Sequence, residues 1–225
     1  MYFSIIIPTF NEADNIQTCL LNLQAIRNHA EIIVADGRST DNTIKLAYPL
    51  ADKIIVSEKG RARQMNAAAQ NATGEMLVFL HADTSLPDNA LALIKQTHLW
   101  GRFDIRLSGE PFMLKIVAHF MNWRSRLTGI ATGDQAIFVS RDFFDAVGGY
   151  PDIALMEDVS ISSALKKISR PLCLTAKVTS SGRRWEKQGV FKTIFLMWSI
   201  RLRFFFGGKP EMLAKLYSRG TLWKL

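Results

Sequence analysis

A carboxylate placed directly after a buried strand is the first feature of this chain that could do chemistry. Asp83 ends the segment His81-Ala82-Asp83, which follows the apolar run Met76–Leu80. A run without a polar break predicts a central strand covered on both faces, and open α/β sheets bind ligands at the carboxyl ends of their strands. There Asp83 could hold a divalent cation, which could neutralise a diphosphate. The alternative is that Asp83 only caps the helix that follows it.

Asp36 and the pair Glu157-Asp158 are further carboxylates at positions where side chains could act. Asp36 directly follows the apolar run Ile32–Ala35, and Gly37 after it permits a tight turn. A carboxylate there can accept hydrogen bonds from a base or a sugar. Glu157 and Asp158 stand at the start of a predicted helix, where the helix dipole favours negative charge. By themselves these two residues would indicate only that the N-terminus of the helix is stabilised.

The elements that position these residues alternate regularly in the first hundred residues. Strands are predicted at Ser4–Pro8, Glu31–Ala35, Lys53–Ser57 and Met76–Leu80, and helices at Glu12–Arg27, Ser39–Tyr48, Arg61–Asn71 and Asp88–His98. Strands and helices in alternation, with short connections, indicate a parallel sheet with right-handed crossovers.

The second half of the chain is less regular. Strands are predicted at Arg102–Ser108, Gln135–Ser140, Pro171–Leu174 and Lys177–Ser180, helices at Pro111–Leu127, Asp142–Val147 and Glu157–Ile168, and a turn at Gly148–Pro151. Because no linker is visible, we expect one domain.

Charge and cysteine content narrow the class of protein. The net charge is +8, and the basic residues concentrate after residue 160, which favours an anionic lipid or a phosphorylated substrate as partner. No nucleic-acid-binding module is present, so nucleic acid is not expected. Cys19 and Cys173 are far apart and form no CxxC motif, which is typical of free thiols in a reducing cytoplasm. The N-terminus reads as a first strand and not as a signal peptide.

The segment Gly189–Gly208 is apolar but is interrupted by Lys192, Arg201 and Arg203. It is short for a membrane span of about 20 residues. Two interpretations stay open and are compatible: a helix packed on the core, or a helix lying at the bilayer interface. The expected location is therefore the cytoplasm, with peripheral attachment to the inner face of the membrane as the alternative.

Five segments, in this order, resemble a family 2 glycosyltransferase with the GT-A fold: SIIIPTFNEADNI, VADGRSTDNT, GRARQMNAAAQNATGEMLVFLHADT, GDQAIFVSRDFFDAVGGYPDIALMEDVSISSALKK and SGRRWEKQG. The resemblance implies an α/β, three-layer fold with a mostly parallel central sheet flanked by helices and a helical C-terminal extension. It divides one domain, 1–225, into a nucleotide-sugar-binding half (1–100), an acceptor and catalytic half (101–188) and amphipathic C-terminal helices (189–225). The chain is most similar to a small soluble subgroup linked to arsenosugar biosynthesis or to radical-enzyme gene clusters.

The resemblance also implies the site residues. Those matching the donor side are Pro8, Thr9, Glu12, Asp36, Arg61, Arg63, Ala82 and Asp83. Those matching the acceptor or phosphate side are Gly133, Asp134, Gln135, Arg184 and Trp185. Asp83 matches the metal-binding aspartate of the DxD motif, but His81 replaces the first aspartate. His81 could be a softer ligand that favours Mn²⁺ over Mg²⁺, or it could only stack or hydrogen-bond nearby.

The function implied is that of an inverting hexosyltransferase that uses a nucleotide diphosphate sugar, with UDP the expected nucleotide. Asp158 would be the general base for an acceptor hydroxyl and Glu157 its neighbour, assisted by Mn²⁺ or Mg²⁺. The acceptor would be a small molecule or lipid-linked, and the oligomeric state is not encoded in any motif. Two alternatives are a polyprenyl-phosphate glycosyltransferase at the membrane surface and a nucleotide-sugar-binding protein with impaired catalysis, which His81 would explain.

Overall fold

The computed structural model describes residues 2–96 and 99–220, and within them eight strands form one sheet. The strands are β1 (Phe3–Thr9), β2 (Ala30–Asp36), β3 (Lys53–Val56), β4 (Met76–Phe79), β5 (Thr84–Ser85), β6 (Trp100–Ser108), β7 (Phe138–Ser140) and β8 (Leu172–Ser181). Their order across the sheet is β3-β2-β1-β4-β7-β6-β8-β5. The pairs β1–β2, β1–β4, β2–β3 and β6–β8 are parallel, whereas β7 and β5 are antiparallel to their neighbours. The carboxyl ends of the parallel strands β1 to β4 therefore lie at one edge of the sheet.

Helices cover both faces of the sheet. They are α1 (Ala13–Leu23), α2 (Thr43–Ala47), α3 (Arg61–Asn71), α4 (Ala90–Ile94), α5 (Met113–Thr128), α6 (Arg141–Ala146), α7 (Glu157–Ile168), α8 (Arg183–Gln188), α9 (Val190–Phe205) and α10 (Pro210–Arg219). Because side chains alternate along a strand, Ile5 of β1 joins the core cluster that contains residues of α1 and α5, whereas Ile6 joins the one that contains residues of α3 and α7. The predicted three-layer α/β fold with a mostly parallel sheet is confirmed.

The C-terminal helices cover the start of α7. Leu196 and Ile200 of α9 and Leu213 and Leu216 of α10 form a third apolar cluster with Met156, the residue before Glu157. Gly189–Gly208 is thus packed on the protein along one side. Among the described residues, no helix has the length and apolar character needed to cross a bilayer.

Several predicted boundaries in the first half differ from the structure. Helix α1 ends at Leu23, and a 3₁₀ turn, Gln24–Ile26, takes the rest of the predicted Glu12–Arg27 helix. Of Ser39–Tyr48, only Thr43–Ala47 is helical, because Ser39 accepts a hydrogen bond from the Asn11 N–H and holds the preceding residues in a loop. The predicted Asp88–His98 helix shortens to Ala90–Ile94, and its predicted end at 97–98 lies outside the described residues.

Boundaries in the second half differ as well. Gln135 belongs to a 3₁₀ turn, Gly133–Gln135, and the strand begins only at Phe138. The two short strands predicted at 171–174 and 177–180 are one strand, β8, which pairs with β6 through a register shift at Phe103/Asp104. Strand β5 and helix α8 were not predicted. The last residues of the predicted 189–225 extension, 221–225, lie outside the described part.

Candidate active site

The ends of β1 and β2 are joined by the carboxylate of Asp36. Its Oδ1 accepts hydrogen bonds from Thr9 Oγ1 at 3.0 Å and Ser39 Oγ at 2.6 Å, and its Oδ2 accepts one from the Ser39 N–H at 2.7 Å. Asp36 is fully buried, and Pro8 lies half-buried beside it at the end of β1. Asp36 therefore fixes the turn after β2, as a buried carboxylate must be hydrogen-bonded.

Gln64 of α3, which the sequence did not single out, clamps the same edge of the sheet. Its Nε2 donates to the Thr9 carbonyl at 2.6 Å and to the Ala35 carbonyl at 2.8 Å. The only signal in the sequence was a long polar side chain on the apolar side of a helix rich in alanine.

Three of the predicted motifs touch one another at Gly133. The Gly133 N–H donates to Asp158 Oδ2 at 2.9 Å, while Asp158 Oδ1 accepts from the Val159 N–H at 2.7 Å. On its other side, a Cβ added to Gly133 would lie 2.6 Å from His81 Nε2. Burial, together with the charge of Arg61, lowers the pKa of His81 to about 3, so the imidazole is neutral at physiological pH.

Glu157 and Asp158 differ in their surroundings although they are adjacent. Glu157 is buried, and burial together with the charge of Asp158 raises its pKa to about 7 against the opposing effect of Arg61. Asp158 is half-buried and accepts two backbone hydrogen bonds. Neighbouring carboxyl groups with such different environments are suited to different protonation states.

Asp83 lies among further carboxylates. Burial raises the pKa of both Glu12 and Asp134, and the charge of Asp83 contributes to each rise. Beside Asp83, a cleft of about 190 Å³ is lined by residues of α1 and by Ala82, Thr84 and Ser181. A positive charge placed here would relieve this mutual repulsion.

The carboxylate oxygens around Asp83 fit a hard divalent cation that is bound through few protein ligands. Within the described ranges, no three His, Cys, Asp or Glu side chains are grouped closely enough to enclose an ion. Mg²⁺ is commonly held by one or two carboxylates, with substrate phosphates and water completing its shell. Asp83, partly open to the cleft, fits that role, whereas Nε2 of His81 lies against Gly133.

The two arginines predicted on the donor side have different surroundings. Arg61, at the start of α3, lies among charged groups of the site. Desolvation by the surrounding protein opposes its charge, but Tyr217 and the carboxylates of Glu157, Asp158 and Asp83 raise its pKa overall. Arg63 instead forms an ion pair with Asp152 at 2.8 Å, with both side chains about half exposed, 51% and 59%. Of the two arginines, Arg61 is therefore better placed to contact a ligand in the site.

The predicted acceptor-side residues also differ in their surroundings. Arg184 donates to the Tyr217 carbonyl at 2.7 Å and stacks 3.5 Å from the centre of its ring, so α10 covers this element. Trp185 packs against the main core cluster. Gln135 is fully buried and its Oε1 accepts from the Thr132 N–H at 3.1 Å. Tyr217 was not predicted, because nothing local in the sequence places α10 beside Arg184.

Left-handed backbone conformations mark the loops that carry the motifs. In the described part of the chain, the non-glycine residues with positive φ are Asn11, Arg38, Ala136 and Met156, at 54°, 64°, 47° and 71°. Three of them are adjacent in sequence to a predicted site residue, and Arg38 lies two residues after Asp36. Such conformations cost about 1–2 kcal/mol each and cluster at functional sites, so these loops are held in fixed shapes.

Comparison with known proteins finds similarity to glycosyltransferases. Residues 4–107 match the model of the family described as glycosyl transferase family 2. Over 92 residues the chain is 37% identical to a PGL/p-HBAD biosynthesis glycosyltransferase of Mycobacterium bovis, a match that covers 37% of this chain and 36% of that protein. The chain thus spans about a third of that relative's length.

Two solved structures share the fold. S. aureus TarS in complex with UDP-GlcNAc superposes with a TM-score of 0.63 at 20% identity, covering 80% of this chain and 58% of that one. A Pyrobaculum calidifontis mannosyltransferase in complex with GDP-Man and Mn²⁺ superposes with a TM-score of 0.61 at 24% identity, covering 88% and 60%. The fold is therefore that of the GT-A glycosyltransferases.

Proposed function

We propose that this chain, a member of glycosyl transferase family 2 by the match of its residues 4–107, transfers a sugar from a nucleotide diphosphate sugar to an acceptor hydroxyl with inversion at the anomeric carbon. The observation that carries the proposal is the meeting of Asp158, Gly133 and His81 at the carboxyl edge of the sheet. UDP is the first nucleotide to test, because the solved relatives that share the fold include a complex with UDP-GlcNAc.

Asp158 acts as the general base. Its carboxylate takes the proton of the acceptor hydroxyl while the hydroxyl oxygen bonds to the anomeric carbon. The bond from that carbon to the diphosphate oxygen breaks on the opposite face, so the configuration inverts. The Gly133 N–H at 2.9 Å and the Val159 N–H at 2.7 Å hold the carboxylate in one orientation, and Glu157, with a pKa of about 7, is protonated in half or more of the molecules at or below neutral pH.

Arg61 and Asp83 serve the donor side. Arg61 lies close enough to Asp83 and Asp158 to feel their charge, and a guanidinium suits phosphate oxygens through its fork of donors. Asp83 would hold the divalent cation, which when bound would offset the charge of the diphosphate. Pro8, Thr9 and Asp36 lie at the carboxyl ends of β1 and β2, where the nucleotide would bind.

Calorimetric titration of UDP, GDP and their sugar conjugates, in Mn²⁺, in Mg²⁺ and in EDTA, tests the donor half. We expect binding of a nucleotide diphosphate that weakens in EDTA. Asp158→Asn is expected to abolish transfer with donor binding nearly intact, because the amide keeps the shape of the side chain but accepts no proton. Absence of nucleotide binding would refute the proposal, and equal loss of donor binding and transfer would assign Asp158 to the fold.

A further inference from the structure

Helix α9 presents a stripe of large apolar side chains to solvent. Phe191, Phe195, Trp198, Leu202 and Phe205 recur every three or four residues, and each is at least 60% exposed. Single exposed apolar residues are ordinary, but a contiguous row marks an interaction surface.

Helix α5 carries a second stripe of exposed apolar side chains. Its exposed members, between 55% and 69%, are Phe112 at the N-cap, Phe120, Trp123 and Leu127. Val190 and Ile194 of α9 pack against the main core cluster, to which Leu114 and Val117 of α5 also belong. The helices approach each other at Arg124 of α5 and Arg201 of α9, because the charge of Arg201 acts on Arg124. We call the nine exposed side chains of the two stripes the aromatic face.

Two arginines border this face. Arg124 follows Trp123 in α5, and Arg201 precedes Leu202 in α9. Burial lowers the pKa of Arg124 to about 10, and the positive charge of Arg201 contributes to this decrease. The two arginines are therefore close to each other. Arg124 Nη1 is buried and has no hydrogen-bond partner in the described part of the chain. Buried polar groups are normally satisfied, so Arg124 Nη1 is available to donate a hydrogen bond to a bound anion.

The same arginines lie next to the candidate base. Asp158 and Asp134 raise the pKa of Arg201, although burial lowers it overall, and both carboxylates act on Arg124 in the same way. Packing agrees with this nearness, because Ile200, the residue before Arg201, lies in the same apolar cluster as Met156, two residues before Asp158. An anion held by the two arginines would therefore lie near Asp158.

A cavity extends the apolar surface at the turn between α9 and α10. It has a volume of about 430 Å³, and its apolar lining includes Leu202, Phe206 and Met212. Arg203 and Lys209 also line it. Apolar walls next to basic side chains complement an acyl chain attached to an acidic head group.

We propose that Arg124 and Arg201 bind the phosphate of a lipid acceptor, and that the aromatic face lies in the surface of the bilayer that holds this lipid. The phosphate is bound and not consumed: the attacking oxygen is a hydroxyl of the same head group, deprotonated by Asp158. This inference rests on the proposed transferase function, because nearness to Asp158 defines the bound lipid as acceptor.

A lipid surface matches the observations better than a protein partner does. Aromatic side chains flanked by basic ones suit the boundary between head groups and acyl chains, and α9, with 16 residues, is suited to lie in that boundary. An apolar protein partner would leave the unsatisfied Nη1 of Arg124 without a hydrogen-bond acceptor.

Sedimentation with vesicles of phosphatidylcholine, alone or mixed in equal parts with phosphatidylglycerol, tests the proposal. Each basic residue near an acidic surface strengthens binding about fivefold, so Arg124→Gln/Arg201→Gln should bind the mixed vesicles about 30-fold more weakly. Trp123→Ser/Trp198→Ser, changed only at exposed positions, should lose binding to both vesicle types. The control Lys45→Gln/Tyr48→Ser removes an exposed cation and a ring that is 79% exposed from α2 and its end, and it should bind as the unmodified chain does.

Two results would overturn the proposal: vesicle binding by the arginine and tryptophan variants equal to that of the control, or binding of free glycerol phosphate as tightly as the mixed vesicles. The second result would assign the arginines to a soluble phosphate. UDP titration of the same samples separates this failure from that of the proposed function: UDP binding by the unmodified chain together with either of these results refutes the lipid proposal alone, whereas absence of UDP binding refutes the proposed function.

Discussion

Replacing Glu157 by glutamine tests the electrostatics of the site directly. The pKa of Glu157 rises from an ordinary 4.5 to about 7, and at about 1.4 kcal/mol per pH unit its ionisation in the folded protein costs on the order of 3 kcal/mol. Because the folded-state pKa is raised, this cost is absent below pH 4.5 and grows as the pH rises to 7. Glu157→Gln carries no such cost, so its stability relative to the unmodified chain should increase by about 2–3 kcal/mol between pH 5 and pH 8.5.

Urea denaturation of both proteins at several pH values in that range measures the difference. The variant Glu211→Gln is the control, because Glu211 is also in the first turn of a helix but is exposed; its difference from the unmodified chain should stay flat. A flat difference for Glu157→Gln as well would show that Glu157 is ionised at neutral pH, and the reasoning about its burial would be wrong.

Three further substitutions test the geometry of the site. Gly133→Ala places a methyl 2.6 Å from His81 Nε2 and should cost about 1–3 kcal/mol of unfolding free energy; adding His81→Ala should recover part of it, and additive effects in the double-mutant cycle would contradict the contact. Asp83→Asn should remove the difference in UDP affinity between Mn²⁺ and EDTA, and an unchanged metal response in calorimetry would exclude Asp83 as the ligand. Ala136→Gly relieves a φ of 47° and should be neutral or stabilising by up to about 1 kcal/mol, whereas Ala69→Gly within α3 should cost about 1 kcal/mol; equal losses in urea denaturation would refute the strain.

The errors made from the sequence have local physical causes. The segment Ser39–Tyr48 has a helical pattern, yet its first residues form a loop, because Ser39 and Asp41 hydrogen-bond to the backbone of Asn11 and Ala13 across the sheet edge. Polar side chains that compete with the helix backbone favour such loops. The break predicted between residues 174 and 177 is instead a register shift against β6, which only the neighbouring strand reveals.

The arginines show a different limit of the sequence. Arg61 and Arg63 are the same residue type and stand in the same motif. Each residue of a helix turns the side-chain direction by about 100°, so the two arginines point to different sides of α3. Arg63 therefore binds Asp152. Arg201 was seen only as a basic interruption of the apolar segment Gly189–Gly208, and Arg124 was not singled out. Their proximity depends on how the two helices are arranged in the folded protein.

The sequence by itself determined the first four strands, the carboxylates that follow β2 and β4 and the resemblance to glycosyl transferase family 2. Uninterrupted apolar runs such as Ile32–Ala35 and Met76–Leu80 must be buried on both faces, and this fixes where Asp36 and Asp83 emerge. Only the tertiary structure decided that the Gly133 backbone holds Asp158, that burial raises the pKa of Glu157 to about 7, and that α10 covers Arg184. Contacts and desolvation depend on which elements lie side by side, and that order is a property of the packed sheet and its helices, not of any local run of residues.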